Sequence, residues 1–311
     1  MRRLTVRQEE TGKCRQPWSN RLRRTASFGP VSHEVTPVVF NDRLYRVENH
    51  PRFLDFPTDD PTYRFHEDEI RIRDVETDAI VSVPLRNHYF GEGFLHQGRL
   101  YVYAGDYGTD LPWRQHKKIN MVCSDDLVHW SDPLTVLESE RDELLFNVAI
   151  CRAPDRFVML YETDDSRWPP FTFKYCESED LIHWRRIPNA FYGTDKYVGG
   201  PALYYADGWY YTLYLQARSN GHYENCITRS RDLVRWEDAP EGRAVLPVDP
   251  THAPDPGHPE VRELSASDAE LCFWRGKTIL YFHSGNQQGV AGLEMAEFDG
   301  PPNELLAHYF E

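Results

Sequence analysis

Residues 178–184 read Ser178-Glu179-Asp180-Leu181-Ile182-His183-Trp184. Nearly the same seven residues stand at Ser124–Trp130 (SDDLVHW) and at Ser230–Trp236 (SRDLVRW). Trp130 to Trp184 is 54 residues and Trp184 to Trp236 is 52, so Ser-x-Asp-Leu-x-x-Trp marks a repeat. Ser and Asp at this spacing can hydrogen-bond the backbone of a tight turn. Leu and Trp supply apolar bulk for a wedge between neighbouring units. The position before Trp varies between His129, His183 and Arg235, which suits a solvated site. The motif reads as architecture, and its aspartates as structural.

Working outward, each motif is preceded by the same succession: an apolar strand, a turn with Gly or Asp, an aromatic-rich strand, a polar loop and a third strand. FGEGFLHQGRLYVYAGDYG leads to INMVCSDDLVHW, LFNVAICRAPDRFVMLYETDD to FTFKYCESEDLIHW, and YVGGPALYYADGWYYTLYLQ to YENCITRSRDLVRW. A further unit runs from SASDAELCFWRGKTILYFHSGNQ to GLEMAEFDG. A first begins near HEVTPVVFNDRLYRVENH, and its third strand, DEIRIRDVE, keeps only the Arg-Asp-Val core of the motif. About four strands in about fifty residues is the size of a propeller blade. The expected fold is all-β: a single five-bladed β-propeller of four-stranded antiparallel blades over residues 31–311, after a basic extension at 1–30.

Composition agrees. Of 311 residues, 14% are aromatic and 40% hydrophobic, and short Tyr-, Val-, Ile-, Phe- and Trp-rich runs are broken by Gly, Pro, Asp and Asn. A net charge of -14 argues against nucleic acid or an anionic membrane as partner. The local exception is Arg2, Arg3, Arg7, Lys13, Arg15, Arg21, Arg23 and Arg24, read as a solvated extension along the outside of the domain. No apolar run reaches membrane-spanning length, and the N-terminus lacks the apolar stretch of a signal peptide, so a cytoplasmic protein is expected. Cys14, Cys123, Cys151, Cys176, Cys226 and Cys272 form no CxxC pair and read as reduced thiols. No metal and no cofactor are expected.

With these repeats the chain resembles the five-bladed propeller glycosidases, among them glycoside hydrolase families 43, 62, 32, 68, 117 and 130. The resemblance covers nearly everything after residue 30. Sialidases carry a rival repeat with Gly where this chain has Leu127, Leu181 and Leu233. Family 32 would show Asn-Asp-Pro-Asn-Gly, where this chain has Phe40-Asn41-Asp42-Arg43-Leu44. Family 43 would place Asp at the start of the first inner strand, where this chain reads Ser32-His33-Glu34-Val35-Thr36-Pro37. The resemblance implies a carbohydrate substrate in a central funnel.

In a propeller the start of each innermost strand and the end of the second strand share the funnel face. Glycoside hydrolysis uses two carboxyl groups, and a third nearby can raise the acid's pKa. The catalytic candidates are Glu92, Glu162 and Asp268, with Glu34 in reserve on the first unit. Each also has a structural reading. The glycines around Glu92 let strands crowd, Glu162 can pair with Arg152 or Arg167, and Asp268 can cap a turn. Candidate substrate-binding residues are His33, Asp106, Tyr107, Trp113, Asn147, Asp164, Trp168, Arg218, His222, His283, Asn286 and Gln287. Tyr107, Trp113 and Trp168 are there as platforms for sugar rings.

Three activities fit. The first is a glycoside hydrolase that removes a terminal sugar. The second is a phosphorylase, which needs cations for phosphate, with Arg114, His116, Lys117, Lys118 and Arg218 as the available set. The third is a sugar-binding propeller without turnover.

Overall fold

The computed structural model of the chain describes residues 18–30, 33–51, 68–106 and 116–311, and for His33 the backbone alone. Strand β1 (Arg23–Gly29) comes first. Then follow β2 (His33–Phe40), β3 (Arg43–His50), β4 (Glu69–Asp74) and β5 (Ile80–Arg86), which form one antiparallel sheet in that order. The next sheet is β6 (His88–His96), β7 (Arg99–Asp106), β8 (Lys118–Ser124) and β9 (Leu134–Glu138). The third is β10 (Leu145–Arg152), β11 (Phe157–Thr163), β12 (Thr172–Ser178) and β13 (Arg185–Tyr192).

The remaining strands are β14 (Gly199–Ala206), β15 (Trp209–Ala217), β16 (Tyr223–Ser230), β17 (Trp236–Asp238), β18 (Ser265–Trp274), β19 (Lys277–Gly285) and β20 (Ala291–Phe298). They join β1 in one eight-stranded sheet. Its two antiparallel halves, β14 to β17 and β18 to β20 with β1, meet at a single parallel bridge, Tyr223 to Ser265. One helix, α1 (Pro302–His308), follows. The first strands β2, β6, β10, β14 and β18 each touch the next, and β18 touches β2, so the five inner strands close into a ring.

The repeated motif sits where expected, between the third and fourth strands. Ser178 Oγ accepts the Leu181 N–H at 3.0 Å, and Asp180 Oδ1 accepts the Ile182 and His183 N–H groups at 2.9 and 2.8 Å. Ser124 with Asp126 and Ser230 with Asp232 repeat the arrangement. The turn forces its leucine into left-handed backbone, φ 64° at Leu127, 68° at Leu181 and 63° at Leu233, a conformation that costs an L-residue about 1–2 kcal/mol. Burial offsets it, since the three leucines are 2%, 1% and 0% exposed.

Each leucine packs in a wedge between two units. Leu127 sits among Phe40, Val47 and Ile72 of the preceding sheet, Leu181 with Tyr103, and Leu233 with Leu160 and Tyr175. Trp130, Trp184 and Trp236 cover the same wedges, and Trp236 stacks on Tyr175 at 5.3 Å.

The N-terminal boundary differs from the expectation. Residues 1–17 lie outside the described residues, but Arg23–Gly29 is not an external extension. It pairs antiparallel with β20 as the outermost strand of the last unit. That unit has only three strands of its own before α1, and its open edge is filled from the other end of the chain. Arg24 fastens the join: Nη1 and Nη2 lie 2.5 and 2.8 Å from the fully buried Glu263 carboxylate. Ser284 Oγ and the Asp249 N–H also donate to Glu263, at 2.6 and 2.9 Å. Glu294 stands 3.6 Å from Arg24 and pairs with His252.

Two outcomes follow for urea unfolding. Leu181→Ala should lose about 3 kcal/mol, and Leu181→Gly no more than that, because glycine alone relaxes at this φ. A glycine variant clearly less stable than the alanine one would refute the trapped left-handed turn. Arg24→Ala should lose about 3 kcal/mol, because it leaves buried Glu263 without its counter-charge.

Candidate active site

All five inner strands break register at the same height. The breaks fall between His33 and Val35, Tyr89 and Glu92, Leu145 and Val148, Gly199 and Ala202, and Ser267 and Glu270. A bulge re-aims the side chains it carries. Here the bulges carry left-handed residues: Glu34 (φ 45°), Phe90 (57°), Gly200 (50°) and Asp268 (53°). Strained backbone at Glu34, Phe90 and Asp268, at one level of three strands, marks a site where side-chain direction matters.

The bulges bring Glu34, Gly91, Asn147, Gly200 and Asp268 round one narrow cleft on the axis. Glycine suits position 200, because its φ is +50° and a Cβ there would lie 2.1 Å from Asp268 Oδ1 and push that carboxyl aside. Glu162, from the second strand of the third unit, reaches the same group. Its Oε2 accepts the Gly200 N–H at 3.0 Å and the Asn147 amide at 3.3 Å. Asn49 ties two bulges together, donating to the carbonyls of Glu34 (2.8 Å) and Gly91 (2.9 Å) and accepting the Gly91 N–H at 2.7 Å. His283 Nδ1 accepts the Glu34 N–H at 3.4 Å.

Burial raises the pKa of the Glu34 carboxyl well above the ordinary range, and the charges of Asp268, Glu162 and Glu270 push it the same way. A hydrogen bond with the Asn147 side chain opposes the shift without cancelling it. A carboxyl held neutral beside other carboxylates is the arrangement of a proton donor. Beside it opens a second cavity of about 420 Å3, lined by Ser265, Ser267, Asp268, His283 and Gln287 among others. From the bulge residues Phe90 and Phe146 runs an arc of rings: Phe90 to Phe146 (5.5 Å), Phe146 to Phe171 (5.1 Å), Phe171 to Tyr197 (6.1 Å) and Tyr197 to Tyr223 (6.1 Å).

Of the four candidate acids, Glu34, Glu162 and Asp268 are therefore neighbours. Arg167 pairs with Asp165 at 2.6 Å and Arg152 lies over the Phe157 ring at 4.5 Å, so neither takes Glu162 in the alternative ion pair considered above. Glu92 lies further along the axis, below the bulge, and lines a cavity that opens on the opposite face. Its neighbour there is Glu270, whose carboxyl burial raises to about 8. Glu270 was not singled out from the sequence. Its signal was the period of two in a strand, which puts it on the same face as Asp268.

Among the candidate binding residues, Asn147, His283 and Gln287 border the cleft or its side cavity. Asp106 accepts the Asn120 amide at 3.2 Å, next to His88. Asp164 accepts the Leu144 N–H at 2.6 Å, and Asn286 accepts the N–H groups of Gln288 and Val290, so both hold loops. Trp168 packs under Arg167 (4.2 Å) and against Phe191 (4.7 Å) within its own unit. Arg218 does not stand over the funnel. It pairs with Glu224 at 2.9 Å in a lateral cleft of the fourth unit, and His222 turns to Asn220. Tyr107, Trp113, Arg114 and the His33 side chain lie outside the described residues. Lys117 and Lys118 pair with Asp142 and Glu138, and His116 is buried among Phe90 and Phe146.

No protein-family model and no curated protein matches the chain by sequence. Solved structures do match by shape. The catalytic domain of the Coprinopsis cinerea family 62 α-L-arabinofuranosidase superposes with a TM-score of 0.64 at 11% identity, over 91% of this chain and 98% of that one. An α-L-arabinofuranosidase from Lactobacillus brevis gives 0.59 at 12% identity, over 88% and 93%. Xylan β-1,4-xylosidase from Bacillus halodurans gives 0.57 at 20% identity, over 86% of this chain and 53% of that one. The chain has the fold of the propeller glycosidases. The resemblance drawn from the repeat motif thus holds at the level of the fold. No helix among the described residues is long and apolar enough to cross a membrane.

The axial carboxyls make stability depend on pH. In the unfolded chain Glu270 ionises near the ordinary glutamate value, about 4.3, and in the folded protein near 8. Its stabilising contribution is full below the lower value and is lost as pH rises towards 8, at about 1.4 kcal/mol per pH unit. Unfolding free energies of wild type between pH 5 and 8 should therefore fall (roughly this slope per group), and Glu270→Gln should flatten the fall. Equal slopes in both proteins would contradict the raised pKa.

Proposed function

We propose that the protein is a glycoside hydrolase that cleaves a terminal sugar from an oligosaccharide or glycoside. The observation that carries this is the meeting of Glu34, Asp268 and Glu162 at the axial bulges, where burial and like charge raise the Glu34 pKa. In this reading Glu34 donates its proton to the glycosidic oxygen as the bond to the leaving group breaks. Asp268, which borders both the cleft and its side cavity, is the second carboxyl, acting on water or on the anomeric carbon. Glu162, fixed by Gly200 and Asn147, is the third carboxylate, whose charge adds to burial and Asp268 in raising the Glu34 pKa. The Phe171, Tyr197 and Tyr223 rings offer faces for the sugar. The arabinofuranosidases and the xylosidase of the same fold support an O-glycosidic substrate. Arg and Lys are missing from the described lining of the cleft and side cavity, which favours water over phosphate as acceptor.

The test is turnover of a panel of nitrophenyl pentosides and hexosides and short oligosaccharides, with and without phosphate. Glu34→Gln and Asp268→Asn should each lower kcat by about a hundredfold or more. Activity should fall as pH rises through the Glu34 pKa, since the acid must be protonated. Glu162→Gln should move that alkaline limb to lower pH by removing a like charge. Saturable sugar binding without turnover would replace the hydrolase with a binding propeller, and turnover only with phosphate would make it a phosphorylase.

A further inference from the structure

The face opposite the candidate active site holds another cavity, of about 450 Å3. That lies within the roughly 300–1,000 Å3 typical of small-molecule pockets. It opens between the far halves of the inner strands and the edge of α1, and Val38, Phe94, Leu203, Tyr204, Leu271 and Leu306 give it carbon-rich walls. Glu92 and Glu270 also line it, and Glu270 borders the axial cleft as well, so the two carboxyls stand at its inner end.

Glu92 is 7% exposed, and its Oε2 has no hydrogen-bond partner among the described residues. A buried carboxyl with an unmet oxygen is costly, and natural sites seldom keep one without a use. The Ile150 N–H bonds the Glu92 carboxyl, but the polar side chains nearby do not meet the open oxygen. The Tyr204 hydroxyl accepts the Leu271 N–H at 2.8 Å, Arg152 is turned over Phe157, and Thr36 hydrogen-bonds Glu270.

The lining selects among ligands. An anion meets two acids. A neutral apolar molecule fills the walls but leaves the carboxyls unmet. A bare metal ion finds few oxygens among these carbon walls, where hard cations take six or more. A ligand with one ammonium group and an apolar body satisfies both halves, and Phe94 and Tyr204 add ring faces for the charge.

We propose that this cavity binds a small organic ammonium ion, its charged end against Glu92 and Glu270 and its apolar body against Phe94, Tyr204 and Leu306. The site is separate from the hydrolase reading and stands whether or not sugars are turned over. Because burial raises the pKa of both carboxyls, binding of the ammonium would release a proton from the pair to solvent.

The experiment is calorimetric titration of the full chain at pH 7 with n-hexylammonium, and with hexanol as its uncharged counterpart. The expected result is one saturable ammonium site, with hexanol weaker by about tenfold or more, the weight of a hydrogen bond to a charged group. Glu92→Gln should weaken the amine by a similar factor and leave hexanol unchanged. Leu306→Trp, which narrows the cavity at its α1 edge, should weaken both ligands, and it keeps the test open if the glutamine variant misfolds. Asp268→Asn, which removes a like charge beside Glu270, should not weaken ammonium binding. Equal affinities for amine and alcohol, no saturable binding, or binding lost in Asp268→Asn but kept in Glu92→Gln would each overturn the proposal.

Discussion

The architecture depends on closing a ring. Five inner strands touch in sequence and the last touches the first, but the last unit carries only three strands of its own. The missing edge comes from Arg23–Gly29, so the two ends of the chain are stitched into one sheet. Arg24 holds the stitch through a carboxylate that water does not reach. Without it the sheet would end in an open edge beside the first unit, and the seam is thinly packed, with Val35, Ile279, Tyr281 and Leu293 as its buried core.

Closure also sets the chemistry. Pressing five strands around an axis leaves little room for water, and the bulges turn acidic side chains into that space. Desolvation and like charge then raise carboxyl pKa values together, at Glu34 on one side and at Glu92 and Glu270 further along. These neutral acids weaken the fold as pH rises, and the same shift is what a proton donor needs. The strained backbone at Glu34 and Asp268 lies in the same layer, where the surrounding ring holds it.

The repeat motif was legible because its physics is local. A Ser and an Asp two residues apart bind the next few N–H groups wherever the rest of the chain lies, and the leucine pointing inward needs only a neighbouring unit. Asn147, Glu162, Asp268 and His283 were legible through topology, since strand starts and second-strand ends share a face. Trp168 and Arg218 misled because residue type cannot report direction. Each is at the expected height, yet one folds back on Phe191 and the other reaches Glu224 on the flank. Phe171, Tyr197 and Tyr223 each open a stretch of the repeat, but residue type there does not report that their rings adjoin.

By itself the sequence determined the repeated four-stranded unit, the turn chemistry between its third and fourth strands and the acidic character of the funnel. These follow from hydrogen bonds over two to five residues and from a spacing that recurs. Only the tertiary structure decided that the basic N-terminal stretch supplies a strand, that Glu34 joins Glu162 and Asp268, and that Glu92 faces the other way with Glu270. The last two outcomes turn on one-residue register shifts in the inner strands. A bulge reverses which side chains point at the axis while leaving the pattern of apolar and polar residues almost unchanged.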